Sequence, residues 1–182
     1  MQCSVALADA LGGLTKVGSD GYGHRVLLLY LDEFGHAGAW VPGDPRHSHH
    51  PLFGLAGIAI ECARARELDR GYFHLKNGFY KREIEEAWQR EGKRAERYEP
   101  KQLRDRRDLR FAAEVLYLVS ELGGCVVAHG CAKPIGRRNH DETALYNSVM
   151  QGVLRNYNGV IGASGAASGI IVADRRSEAS DT

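Results

Sequence analysis

Val26-Leu-Leu-Leu-Tyr-Leu-Asp-Glu33 is a run of six apolar residues closed by two acids, with glycines following at positions 35 and 38. The length of the run and the turn-forming residues after it favour a buried strand over a helix. Residues 36–51 are rich in proline, glycine and histidine, which is typical of a loop. Leu52 to Ile60 is a second apolar segment, so we expect a pair of strands joined by a long loop.

Helical periodicity governs the middle of the chain. Apolar residues recur at helical spacing from Leu68 onward, and Asn77-Gly78 is a typical stop signal. The segment 81–97 is strongly charged, and Pro100 just after it ends the helical pattern. Residues 109–122 carry a broad apolar face and precede Gly123-Gly124, which predicts a further helix.

Strand and helix patterns alternate again in the last third. A short strand is predicted from Cys125 to Ala128, and a helix over 141–157 that Asn139 and Glu142 open as a capping box. A loop of Gly, Ala and Ser is predicted over 159–169, followed by a strand that ends at Asp174. This order predicts a layered α/β fold whose strands are at least partly parallel.

Length and composition predict a single domain. The chain has 182 residues and a mass of 20.0 kDa, enough for one domain of ordinary size. We expect residues 1–24 to form a flexible arm and residues 25–182 to form that domain. The four cysteines include no Cys-x-x-Cys motif, no basic region precedes the apolar N-terminal stretch, and no apolar run is long enough for a membrane span. These features predict a cytoplasmic protein.

Charge is concentrated in one segment. The whole chain has a formal net charge of +1, but residues 64–110 hold 15 Lys plus Arg against 10 Asp plus Glu, a local charge of +5. One interpretation is a solvated helix stabilised by ion pairs between successive turns. The other is a basic helical insertion that contacts the phosphates of a nucleic acid.

Two apolar strands end in aspartate, at Asp32 and Asp174. If the strands are parallel neighbours, both aspartates emerge at the same carboxyl edge of the sheet, where ligands gather in open α/β sheets. Two carboxylates close together repel each other unless a proton or a cation intervenes, and oxygen ligands favour Mg²⁺ or Mn²⁺. The alternative is that each aspartate simply forms a turn or cap.

Tyr30-Leu-Asp-Glu-Phe-Gly35 resembles the Asp-Glu-Ser-Gly signature of the domain-of-unknown-function 3800 family. The following strand at 53–60, the long helical region and Ile-Val-Ala-Asp174-Arg175 come in that family's order, so the resemblance spans about residues 26–176. It implies a ribonuclease-H-like mixed sheet flanked by helices, with the basic helices as an insertion. It also implies a metal-dependent nuclease acting on nucleic-acid phosphodiesters.

The resemblance also implies roles for particular residues. Asp32 and Asp174 would be catalytic metal ligands, with Glu33 as a further ligand. Tyr98-Glu99-Pro100-Lys101 occupies the place of another family motif, which implies a catalytic role for Glu99 and a phosphate contact for Lys101. Lys133 matches a further family lysine and would also contact phosphate.

The sequence departs from the family in two places. Phe34 replaces a serine and removes a hydroxyl group beside the carboxylates. Ribonuclease-H-like sites draw a further acid from a final helix, and the acids after Asp174 are Glu178 and Asp181 on a short polar tail. We therefore expect the domain to be incomplete at its C-terminal end. A catalytically inactive nucleic-acid- or protein-binding module of the same fold is the alternative function.

Several histidines offer weaker alternatives. His47, His49 and His50 are dense enough for a metal site, although histidines in such a loop are more often surface residues. His129 and His140 flank predicted elements, and either is a candidate general base or a structural histidine.

Overall fold

The computed structural model describes residues 25–43, 50–91, 105–136 and 140–173. In chain order the elements are β1 (Val26–Gly35), β2 (Leu52–Glu61), a 3-10 turn (Cys62–Arg64), α1 (Ala65–Glu91), α2 (Arg106–Glu121), β3 (Cys125–Ala132), α3 (Glu142–Ser164) and β4 (Ser168–Ala173). They form two compact units. The sheet unit contains the four strands and α3, and the helical unit spans Ala63–Gly124. The single domain over residues 25–182 stays a prediction, and the arm at 1–24 lies outside the described residues.

The sheet unit contains a mixed four-stranded sheet in the order β3-β2-β1-β4. β1 pairs with β2, and β2 with β3, in antiparallel directions, whereas β4 runs parallel to β1 on its other side. The predicted strand pair at 26–33 and 52–60 is confirmed, and so is the mixed α/β character of the fold.

Alternation along β1 separates the two faces of the sheet. Leu27, Leu29 and Leu31 are buried in a core that also contains Val149, Val153 and Tyr157 of α3. The α3 residues recur every four positions and therefore lie on one side of the helix. Leu28, Tyr30, Asp32 and Phe34 point to the opposite face of the sheet. The core thus lies between one face of the sheet and α3.

The helical unit packs around aromatic residues. Phe111 of α2 makes ring contacts with Tyr72, Phe79 and Tyr80 of α1. Gly71 lets α2 approach closely, since a Cβ there would lie 2.6 Å from a methyl carbon of Leu118. The helix stop predicted at Asn77-Gly78 lies two residues before a break: α1 consists of two helical stretches that meet at a kink at Tyr80, where φ is −123° and ψ is 25°. Tyr80 is buried, so the kink lies inside the packing of the helical unit.

The ends of α3 also differ from expectation. Asp141 is the N-cap, its carboxylate accepting from the Ala144 amide, whereas the predicted Asn139 lies outside the described residues. The loop predicted over 159–169 is wrong at its start, because α3 continues to Ser164 and ends at Gly165 with φ +68°. Val160 and Ile161 pack against the core and stabilise this last turn. Among the described residues, no helix has the length and apolarity needed to cross a bilayer.

Candidate functional site

The carboxyl end of β1 carries two exposed acids. Asp32 and Glu33 are consecutive, so their side chains point to opposite faces of the sheet. The Asp32 Oδ1 atom accepts a hydrogen bond of 2.8 Å from the Glu33 amide. Asp32 lies on the face opposite α3, between Tyr30 and Phe34. It remains accessible to a ligand.

β1 and β4 are parallel neighbours, as the aspartate hypothesis requires. Their ladder runs from Val26 opposite Ser168 to Leu31 opposite Ala173. In the sequence, Asp32 directly follows Leu31, and Asp174 directly follows Ala173. Asp174 itself lies outside the described residues. The ladder between β1 and β4 therefore ends one residue before each aspartate, while β1 itself continues to Gly35 beside β2.

Phe34 covers the row of residues beside Asp32. In the ladder it lies opposite Gly54, which in turn lies opposite Gly130. A Cβ at Gly54 would lie 2.1 Å from the Phe34 ring, and one at Gly130 would lie 2.8 Å away. The two glycines thus make room for the ring to lie on the backbone of two strands. Phe34 occupies space that the smaller serine of the family signature would leave open.

Lys133 is buried just after β3. Its ammonium donates to the carbonyl oxygens of His36 at 2.8 Å and Gly38 at 2.7 Å. Burial lowers its pKa, and the nearby carboxylate of Glu142 opposes that shift. Both contacts bind the loop that follows β1. The predicted contact of Lys133 with phosphate stays a prediction.

His140 binds the same loop. Its Nε2 atom lies 2.6 Å from the carbonyl oxygen of Ala37, so this nitrogen must carry the proton that is donated. The Nδ1 atom of His36 accepts from the Gly38 amide at 2.8 Å. Three successive carbonyl groups after β1 therefore accept hydrogen bonds from the β3–α3 connection. This contact fits the structural interpretation of His140, and the general-base interpretation stays a prediction.

Other predicted site residues fall outside the described part of the chain. Glu99, Lys101, Glu178 and Asp181 do so, and so do His47 and His49, whereas His50 is described and exposed. Within the described ranges, no group of three or more His, Cys, Asp or Glu residues has metal-binding geometry. The structure therefore places Asp32 and Glu33 near the carboxyl end of β1 and Lys133 just after β3, and the roles of all the site residues stay predictions.

The other polar side chains of β3 are half-buried. His129 lies against Gly152 of α3, where a Cβ would be 2.2 Å from its ring. Burial raises the pKa of the Cys125 and Cys131 thiols, so both are protonated at neutral pH.

The basic helices contain many ion pairs. Lys81 and Arg82 pair with acids one turn later on α1, and Arg107 of α2 pairs with Glu83 of α1. The hydrogen bond from Arg107 also lowers the pKa of Glu83. Four further exposed arginines form no ion pair with a described acid: Arg66, Arg70, Arg106 and Arg110. Both interpretations of the segment thus have residues that fit them.

Sequence reasoning missed Tyr157. Its side chain is buried, and its hydroxyl group lies 2.8 Å from the carbonyl oxygen of Leu27 and 3.4 Å from that of Ile170. It therefore bridges β1 and β4 from the α3 side. The only signal in the sequence was its place at the end of an apolar stripe, which predicts burial but not the partner of the hydroxyl group.

Comparison of the chain with protein-family models, curated proteins and solved structures found no match.

Proposed function

We propose that the chain is a divalent-metal-dependent, nuclease-like hydrolase acting on nucleic-acid phosphodiesters. The observation that carries the proposal is the parallel register of β1 and β4, whose last pair is Leu31 and Ala173. If the ladder continued by one residue, Asp32 and Asp174 would be level at the carboxyl edge. Asp32 is exposed there.

The donor set suits a hard cation. Carboxylate oxygens are the ligands that Mg²⁺ and Mn²⁺ prefer, and a cation relieves the repulsion between neighbouring carboxylates. Asp32 and Asp174 would hold the cation, with Glu99 completing the ligand set. Glu33 points to the other face of the sheet and is the less favoured ligand. When bound, such a cation supplies an activated water and stabilises the charge that develops on phosphate.

The finer fold assignment belongs to the same proposal. A four-stranded mixed sheet whose central β1 has an antiparallel partner on one side and a parallel partner on the other is compatible with a ribonuclease-H-like sheet. The helical unit, inserted between β2 and β3, corresponds to the expected basic insertion. With these features, the resemblance of 30–35 to the domain-of-unknown-function 3800 signature remains the basis for the family proposal.

Cleavage assays test this function directly. The protein is incubated with labelled single-stranded, duplex and hybrid oligonucleotides in Mn²⁺, beside Asp32→Asn, Asp174→Asn and the control Asp69→Asn. Asp69 is an exposed acid on α1, so its variant should cleave as the wild type does. Each site variant should lose at least 100-fold in rate. Absence of cleavage by the wild type, or equal cleavage by the site variants, would refute the proposal.

A binding module without turnover is the second candidate. It is favoured by the four exposed arginines that form no ion pair with a described acid, which are spaced one helical turn apart as Arg66 with Arg70 and Arg106 with Arg110. Such pairs can each approach successive phosphates, and their binding would weaken with salt.

Fluorescence anisotropy in EDTA tests this candidate. Replacing either arginine pair by glutamine should lower oligonucleotide affinity about tenfold and flatten its salt dependence. Lys81→Gln with Arg82→Gln is the matched control, because both residues pair with glutamates on α1. Equal losses from the control would show that general charge, and not these arginines, governs binding.

A further inference from the structure

β4 has a notch at Gly169, and the side chains of Tyr157 and Ile161 from α3 pack into it. Gly169 of β4 lies opposite Leu27 of β1 in the ladder. A Cβ at Gly169 would lie 2.7 Å from the hydroxyl oxygen of Tyr157, 2.8 Å from its ring and 2.6 Å from a methyl carbon of Ile161. The ring of Tyr157 therefore occupies space that only glycine leaves open.

β4 contains no second glycine that could take this place. Its sequence is Ser-Gly-Ile-Ile-Val-Ala, so a shift by two residues along β1 would bring Ile171 or Ala167 to the ring. Either residue would place a Cβ where less than 3 Å is available. A shift by one residue would turn every β4 side chain to the other face. Steric fit at Gly169 is thus compatible with one register.

We propose that Tyr157 is a positioning residue that fixes the register of β4 on β1 through its fit over Gly169. The hydroxyl group adds a directional contact, because it donates a hydrogen bond to the carbonyl oxygen of Leu27 and lies 3.4 Å from the carbonyl oxygen of Ile170. This inference deepens the proposed function and rests on it in one respect: the register decides whether Asp174 is level with Asp32. The fixing of the register itself is independent of any activity.

Ring shape and hydrogen bonding make separate contributions. Tyr157→Phe keeps the ring over Gly169 and removes the hydroxyl group. Tyr157→Leu removes the ring, and Gly169→Ala fills the notch. If shape fixes the register, the first variant keeps it, whereas the other two lose it.

Disulfide trapping reads the register directly. Tyr30 lies opposite Val172 and both side chains are exposed, so cysteines there can be oxidised to a disulfide. A pair at positions 30 and 170 is displaced by about 6.6 Å along the strand, beyond disulfide reach. Each pair is introduced into a chain whose four native cysteines are serine. The 30/172 pair should oxidise at least tenfold faster than the 30/170 pair.

The preference for the 30/172 pair decides the proposal. It should survive Tyr157→Phe and fall at least fivefold in Tyr157→Leu and in Gly169→Ala, whether β4 shifts or detaches. Unchanged preference in both of the latter variants would overturn it. Should Gly169→Ala fail to fold, the comparison of Tyr157→Phe with Tyr157→Leu still decides. Equal loss in those two would also overturn the role of ring shape.

Mn²⁺ binding, measured by titration without oligonucleotide, separates this inference from the function on which it rests. Wild type and Tyr157→Phe should agree within twofold, while Tyr157→Leu should bind at least tenfold more weakly. If the wild type binds no Mn²⁺, the proposed function fails, and the disulfide preferences alone decide the register. If the wild type binds and Tyr157→Leu binds equally, the link between register and site is refuted.

Discussion

The ammonium of Lys133 lies 2.7 Å from the carbonyl oxygen of Gly38, and this bond joins two segments far apart in sequence. A second bond to His36 and the His140 contact with Ala37 complete the attachment. Only 5% of Lys133 is exposed, so its ammonium group has little access to water and depends on the carbonyl oxygens of His36 and Gly38. The loop after β1 is therefore held to the β3–α3 connection by side chains of the connection.

Lys133→Met should destabilise the protein by about 2 kcal/mol, because hydrogen bonds from charged donors are strong and their removal leaves buried acceptors unpaired. Urea unfolding monitored by circular dichroism measures the change. Lys81→Met is the matched control: that side chain is 79% exposed and makes only an i,i+4 ion pair, so its loss should stay below about 0.5 kcal/mol. Equal effects of the two substitutions would contradict the role of Lys133.

Alkaline titration should distinguish Lys133 from Tyr157. Burial lowers the pKa of Lys133, so between that pKa and the ordinary value of 10.5 the unfolded chain binds more protons, and this group makes stability rise with pH. Burial raises the pKa of Tyr157, so above the ordinary value of 10.0 the folded chain holds the extra proton, and this group makes stability fall.

The two groups are separated by their variants. The free energy of unfolding is measured from about pH 8 to about pH 11. Relative to wild type, Lys133→Met should lack the increase in stability that the lysine contributes as the pH rises. Tyr157→Phe should lack the decrease in stability that the tyrosine contributes above its ordinary pKa. Parallel pH profiles for all three proteins would show that neither group titrates differently on folding.

The strands of the sheet could be predicted because the local sequence of each strand indicates it. β1 and β2 are apolar runs of strand length bounded by turn residues, and the alternation of strands and helices led to the correct expectation of at least partly parallel strands. The stop predicted at Asn77-Gly78 came two residues before the kink at Tyr80, whose hydroxyl group donates to Asp108 at 2.9 Å. A local glycine signal of about 1 kcal/mol indicates a weak point in a helix, and tertiary packing decides the residue at which the helix breaks.

Phe34→Ala should cost about 1–2 kcal/mol, even though 40% of the side chain is exposed. The reason is that the ring covers Gly54 and Gly130, which otherwise leave backbone uncovered across two strands. Phe34→Ser should cost as much, although it recreates the residue of the family signature. Thermal unfolding measures both. The control is Phe73→Ala on α1, a 55% exposed ring, which should cost less than either.

The candidate site was less predictable than the sheet. Asp32 could be predicted from its place near the end of a strand. The hydrogen bonds from Lys133 to the backbone carbonyl oxygens of His36 and Gly38 could not be predicted from the sequence. Its partners are carbonyl oxygens, which every residue has, and nothing marks the ones that will be near. The same holds for the hydroxyl group of Tyr157. Side chains that bind backbone leave no complementary residue type in the sequence.

Added Mn²⁺ should raise the stability of the wild type but not that of Asp32→Asn. A ligand that binds only the folded state at 100 times its dissociation constant stabilises by about 2.7 kcal/mol, and loss of one carboxylate removes most of that gain. Without metal, Asp32→Asn should be as stable as the wild type or slightly more so, because it relieves repulsion at the carboxyl edge. Asp69→Asn, on the other unit, should respond to Mn²⁺ as the wild type does. Thermal unfolding with and without Mn²⁺ measures these differences, and a shift that persists in Asp32→Asn would place the cation elsewhere.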